Sequence, residues 1–128
     1  MTATSKEQSD RLLMCGVSSY TADMYYLVDT LHIGQVARTI GKNIPKEITF
    51  AWSLSRLLEL LPTPIFYQNR RQTSMKISRA HDGKSWFVSY DFKPEEVTTN
   101  GATLVEAAVR MLEYLNNEQN RAILKITE

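Results

Sequence analysis

The sequence predicts an α+β fold: a helical N-terminal half packed with a small antiparallel β-hairpin or sheet and a C-terminal amphipathic helix. Three observations lead there. Residues 72–92 alternate apolar and polar about Asp82-Gly83, residues 103–116 repeat apolar side chains at helical spacing, and the chain before Pro62 carries apolar stripes broken by glycine. At 128 residues the chain suits one domain with one real core, and no change of composition divides it.

The hairpin supplies its own register. Asp82-Gly83 suits a two-residue type I′ turn, whose central residues need positive φ. That loop pairs His81 with Lys84, Arg79 with Trp86, Ile77 with Val88, Met75 with Tyr90 and Thr73 with Phe92. One face then carries Met75, Ile77, Trp86, Val88, Tyr90 and Phe92. The other carries Lys76, Ser78, Ala80, Ser85, Phe87, Ser89 and Asp91. A slip of one residue would scramble this separation. Arg79 opposite Trp86 is placed to stack on the indole.

After the hairpin, Thr103-Leu104-Val105-Glu106 fits a capping box, with Glu106 reaching back to the Thr103 backbone. Leu104, Ala108, Met111, Leu112 and Leu115 make one stripe. Glu106 and Arg110 stand four apart in the favourable order. The unit 72–116 is thus the centre of the fold, with the helix covering the apolar hairpin face.

The remaining elements are predicted in order. Residues 1–9 are polar and expected to be disordered. Residues 10–19 are ambiguous, since Leu12, Leu13 and Met14 favour burial while Cys15-Gly16 breaks a helix. Spacing predicts a helix from Thr21 to His32, a short helical piece over Gln35–Ile40, and a helix over 49–61 with Phe50, Leu54, Leu57, Leu58 and Leu61 inward. Pro62 and Pro64 end that helix. Residues 65–68 suit a short strand, and 118–128 suit either an extension of the last helix or an edge strand.

Composition narrows the function classes. Apolar and charged fractions of 43% and 23% are those of an ordinary globular protein, and a net charge of +1 gives no support to a strongly nucleic-acid-binding chain. The single cysteine, Cys15, excludes an internal disulfide and a cysteine-based zinc cluster, and fits a reducing cytoplasm. No leader and no long uncharged apolar run stands out, so a cytoplasmic protein with no membrane contact is expected.

Charge is unevenly spread along the chain. From Asn69 to Lys84 five cations (Arg70, Arg71, Lys76, Arg79, Lys84) face one acid, Asp82, for a net of +4. From Asp91 to Glu118 the net is −4. Arg70, Arg71, Lys76, Arg79, Lys84 and Phe87 are therefore the candidate partner-binding residues, a sheet surface for an acidic protein or a phosphate backbone. The competing reading is a solvated face whose charges keep the protein soluble.

Residues 35–51 resemble the front half of a helix-turn-helix. Gln35-Val36-Ala37 through Ile40-Gly41 fits, whereas Pro45 and Glu47 depart from the second helix. His32 and His81 have no partner at ligand spacing, so no metal site is expected. Cys15 has no base nearby in sequence and reads as a buried free thiol. Phosphate-binding loops, dinucleotide fingerprints and nucleophile elbows are absent, so neither catalysis nor a cofactor is expected.

Two family resemblances add to these readings. The hairpin followed by Gly101-Ala102-Thr103-Leu104-Val105-Glu106-Ala107-Ala108 resembles the strand–strand–helix end of HicB-type antitoxins, which carry a partial RNase H-like fold. It lacks that family's glycine-rich hairpin-to-helix connection. Leu57-Leu58-Glu59-Leu60-Leu61-Pro62, Trp86-Phe87-Val88-Ser89-Tyr90, and Glu106-Ala107-Ala108 through Met111-Leu112-Glu113-Tyr114-Leu115 are similar to small bacteriophage and prophage proteins of gut bacteria. That similarity implies a phage accessory role. The expected function is a non-enzymatic interaction protein, a phage factor binding a host protein. The alternative is a nucleic-acid-binding regulator using the basic hairpin or residues 35–51. The apolar tail Ala122–Ile126 suggests a homodimer paired strand to strand.

Overall fold

A computed structural model describes residues 2–34, 48–61, 65–67, 71–73, 75–91, 96–117 and 124–126. The order of elements is α1 (Lys6–Met14), a 3-10 turn (Ser19–Thr21), β1 (Met24–Leu27), β2 (Thr30–Ile33), β3 (Ile48–Ala51) and α2 (Leu54–Leu60). There follow β4 (Ile65–Tyr67), β5 (Arg71–Thr73), β6 (Met75–Arg79), β7 (Trp86–Asp91), β8 (Glu96–Gly101), α3 (Leu104–Leu115) and β9 (Leu124–Ile126). The strands form three antiparallel sheets of three, ordered β2-β1-β3, β5-β4-β9 and β6-β7-β8. The fold is α+β.

The hairpin register holds: Met75 pairs with Tyr90, Ile77 with Val88 and Arg79 with Trp86. Its turn differs from the type I′ expectation. Gly83 donates to the Ala80 carbonyl (2.9 Å) and alone takes positive φ (+72°), while Asp82 accepts from the Lys84 amide (2.9 Å). The loop therefore spans four residues and closes with a single left-handed glycine. Because it is centred on the same two residues, the flanking register is unchanged, although His81 and Lys84 sit in the turn rather than in the ladder. Residues 92–95 lie outside the described region, so the Thr73–Phe92 pair does too.

A third strand, β8, extends the hairpin into a meander, with Val97 beside Tyr90, Thr99 beside Val88 and Gly101 beside Trp86. Helix α3 packs across β7 and β8. Its apolar stripe is wider than predicted, since Val105, Ala107 and Val109 are buried together with Ala108, Met111, Leu112 and Leu115. At Gly101 helix and strand come very close: a Cβ there would lie 2.7 Å from the Ala107 backbone nitrogen. Thr103 caps α3 by accepting from the Glu106 amide (3.1 Å), but the Glu106 carboxylate turns outward to α1 and Arg110, so only half of the expected box forms.

The N-terminal half departs from its helical prediction. Residues expected to form a helix from Thr21 to His32 form the 3-10 turn and the β1–β2 hairpin. Tyr25, Tyr26, Val28, Thr30 and Ile33 favour a strand, and the tertiary pairing overrides the helical spacing of Met24, Leu27, Val28 and Leu31. Val28 turns the chain at φ 57°, a costly conformation for a β-branched residue. The helix predicted over 49–61 is shorter at its start. Ile48–Ala51 pair with β1, and Ser53 caps α2 by accepting from the Arg56 amide (3.1 Å). Leu61 adopts extended backbone before Pro62, as that position favours.

Residues 35–47, including the predicted 35–40 helix and most of the helix-turn-helix resemblance, lie outside the described region. Of that motif, 48–51 is strand rather than helix. The ambiguous 10–19 stretch supplies the end of α1. Residues 2–9, expected to be disordered, are tied down. Thr4 donates its amide to the Trp52 carbonyl (2.9 Å), its hydroxyl accepts from the Trp52 amide (3.0 Å), and Thr4 and Ser9 are fully buried against one another (2.8 Å). The short strand predicted over 65–68 is β4, and the tail is the edge strand β9, paired with β4 of the same chain. One apolar cluster joins the two halves, running from Leu12, Trp52, Leu57 and Leu61 to Val88, Tyr90, Val109 and Leu112.

Candidate interaction surface

Strand alternation decides which side chains share the face of the β6-β7-β8 sheet turned away from α3. Val88 and Tyr90 are fully buried toward α3, so Lys76, Ser78, Phe87, Ser89, Asp91, Glu96, Thr98 and Asn100 fall on the opposite face. Lys76, Ser78, Thr98 and Asn100 are exposed, whereas Ser89, at the centre of this face, is buried. Phe87 is half-buried between Ser78 and Asn100 on the central strand. An aromatic ring set among small polar side chains offers apolar contact area, while its neighbours supply hydrogen-bonding groups.

Of the six residues predicted for binding, Lys76 and Phe87 share this face. Arg79 belongs to the other side, its guanidinium 5.2 Å from the Trp86 ring centroid and donating to the Gly83 carbonyl (3.1 Å). That contact realises the predicted Arg79–Trp86 stacking. Lys84 is at the hairpin tip and Arg71 is on β5, while Arg70 lies outside the described residues. Lys76, Arg79 and Lys84 are therefore spread around the hairpin rather than gathered on one face, and Asp91 and Glu96 form a cross-strand pair at the far end of the Lys76–Phe87 face.

Among the described residues, no strand pairs with the outer edge of β6. Ala80 donates to the Ser85 carbonyl (2.9 Å), so ladder alternation turns the backbone groups of Ala80, Ser78 and Lys76 toward β7. Those of Ile77 and Arg79 point away from β7. At the opposite edge, β8, Arg110 donates to the Asn100 carbonyl (2.7 Å), while on the α3 face the Thr99 hydroxyl donates to the Ala107 carbonyl (2.8 Å).

Two polar clusters that the sequence did not announce hold this scaffold. In the first, Arg11 of α1 reaches α3. It donates to both Glu106 oxygens (2.9 and 3.2 Å) and to Glu113, while Gln8 and Arg110 complete the Glu106 shell (3.0 and 2.8 Å). Burial pushes the Glu106 carboxyl up, but the hydrogen bonds from Arg11 and Gln8 and the charges of Arg11 and Arg110 outweigh it, leaving the group below its ordinary value. The hydrogen bonds to Glu113 and Glu106 raise Arg11. In the second cluster, Asp23 accepts from the Ser53 amide and hydroxyl (2.8 and 2.5 Å). Arg56 donates to the Thr21 carbonyl (2.8 Å), and the Trp52 indole donates to the Thr21 hydroxyl (2.9 Å). Arg11 and Glu106 are too far apart in sequence for any local spacing to have paired them.

An open cleft of about 460 Å³ lies beside the second cluster, lined by Thr2, Asp23, Met24, Ile33, Ser53, Leu54 and Ser55. Both Asp23 oxygens are already engaged by Ser53, so its carboxylate serves the α2 cap. Cys15 is half-buried, its thiol directed at the Leu12 carbonyl (3.2 Å) and pushed up by burial. His32 stacks on Tyr25 with ring centroids 5.0 Å apart, and His81 is exposed in the hairpin turn. Among the described residues no group of three or more His, Cys, Asp or Glu could hold a metal ion, and no helix is long and apolar enough to cross a membrane. No family model, curated protein or solved structure matches the chain.

Proposed function

We propose that this chain is a non-enzymatic interaction protein that binds a protein partner through the face of the β6-β7-β8 sheet turned away from α3. The observation that carries the reading is the asymmetry of that sheet. Helix α3 seals one face, whereas the other presents half-buried Phe87 amid exposed Lys76, Ser78, Thr98 and Asn100. A buried aromatic anchor within a polar rim is the usual energetic pattern of protein interfaces. The face carries acids at one end, which disfavours a long polyanion lying along it. The similarity to phage and prophage proteins points to a bacterial host protein as the partner.

The test is capture of a stoichiometric complex from nuclease-treated host lysate, compared with a Phe87→Ser, Lys76→Ser variant. Both side chains lie off the α3 face, so the variant should fold. The reading requires that it lose the complex. An undiminished complex would overturn it. Capture that disappears with nuclease, and falls steeply with salt, would favour the nucleic-acid alternative.

A further inference from the structure

The geometry points to the mode of binding: an acidic, extended segment of the partner adds as a fourth strand along β6. This inference rests on the reading above, since the added strand would widen the same sheet and continue that face. Three observations converge on β6.

The first is backbone direction. With Ala80 bonded to Ser85, the N–H and C=O groups of Ile77 and Arg79 point out of the sheet, and none of the described residues meets them. Outward backbone groups on an edge strand are the template that strand addition uses.

Exposure is the second. Four consecutive residues of this strand, Lys76 to Arg79, are exposed, and Ile77 leaves 39% of its surface accessible beside the outward-directed groups. An incoming strand with an apolar residue opposite Ile77 would bury that surface, and its alternate residues would fall on the Lys76 and Ser78 side.

Charge, the third, selects the occupant. Lys76 and Arg79 lie on this strand with no acid on it, Lys84 follows at the turn, and none of the three is ion-paired to a described carboxylate. Cations on an edge repel a second copy of the same strand, which is how natural sheets avoid pairing with themselves. The same cations attract a strand bearing Glu or Asp on alternate positions. A homodimer through β6 is thereby disfavoured, and an acidic partner strand is favoured.

The probe is an acetylated, amidated heptapeptide alternating Glu and Val, titrated to millimolar concentration into isotope-labelled protein, with amide exchange followed by NMR. The expected result is slowed exchange at the Ile77 and Arg79 amides, with Lys76 and Ser78, already bonded to β7, little changed. Methylating alternate backbone nitrogens of the peptide should abolish the effect on the unaltered protein. Ile77→Pro removes an outward N–H while sparing the β6–β7 ladder, as proline on edge strands does. It should weaken peptide binding at least about tenfold. Shifts centred on Phe87 and Asn100 without protection at Ile77 and Arg79 would overturn strand addition while leaving the face-binding reading standing. So would equal binding of the methylated peptide, or no response at millimolar peptide. Loss of the lysate complex in the Phe87→Ser, Lys76→Ser variant, together with full capture by Ile77→Pro, would likewise retain the face and reject the edge.

Discussion

Replacing Gly101 by Ala should measure how closely α3 is seated on its sheet. The new Cβ would lie 2.7 Å from the Ala107 nitrogen, 2.8 Å from Glu106 Cβ and 3.0 Å from Glu106 Cγ. The nearest atom is helix backbone, so no side chain can swing aside. To reach ordinary contact the first turn of α3 must retreat by about 0.7 Å. That turn carries buried Val105, Ala107 and Ala108 and the Glu106 ion cluster, so retreat loosens packing against β7 and β8 together with the tie to α1. Overpacking of this kind costs about 1–3 kcal/mol, and the backbone contact places this site at the upper end. For a domain of this size the melting temperature should fall by roughly 5–12 °C. Urea melts followed by far-UV circular dichroism give the free energy directly. Gly83→Asn is the control, because the left-handed turn conformation accommodates Asn and a Cβ there meets only the flexible Arg79 side chain at 3.5 Å. A Gly101→Ala loss under about 0.5 kcal/mol would refute the close approach of helix and strand.

Three further outcomes are expected. Trp52→Ala removes a fully buried indole and its hydrogen bond to Thr21, costing about 3–5 kcal/mol in urea melts, whereas Trp86→Ala, half-buried beneath Arg79, should cost about 1–3 kcal/mol; the reverse order would contradict the core assignment. Glu106→Gln breaks the tie between α1 and α3. Because the folded-state carboxyl sits below its ordinary value, its contribution is fully present above about pH 4.3 and is lost as pH falls through the folded value, so wild type and variant should converge on acidification; a gap that does not narrow as the pH is lowered would contradict this. Ile77→Pro should change folding stability by less than about 1 kcal/mol, since the N–H it removes has no ladder partner; a larger loss would show that Ile77 faces β7 after all.

The C-terminal half was legible because its signals are local. Asp82-Gly83 centres the hairpin, alternation sets the faces, and Thr103 starts α3 within a few residues of the stripe it caps. Even the error in turn type left the register intact, since both loops share one centre. The strand β8 was missed because Glu96–Gly101 carries a single strongly apolar residue, Val97, and so shows little apolar alternation, although it pairs with the neighbouring β7. In the N-terminal half the helical spacing from Met24 to Leu31 was genuine but outweighed by long-range pairing with β3, which the sequence places beyond an intervening stretch. The scaffold of the candidate surface was half legible. Lys76 and Phe87 share a face as alternation requires, but Arg79 follows Trp86 to the other side. The Arg11–Glu106 tie has no local signature at all, joining the first helix to the last.

In the proposed mode of binding the sheet β6-β7-β8, rather than the N-terminal cleft or the exposed helices, meets the partner. Hydrogen exchange read by mass spectrometry on the free chain and on the captured complex tests it directly. Slower exchange over residues 75–79, with side-chain footprinting protected at Phe87 and both signals unchanged at α1 and β1–β2, is the predicted result. Protection confined to residues 24–33 or to α1, with 75–91 unaltered, would contradict it.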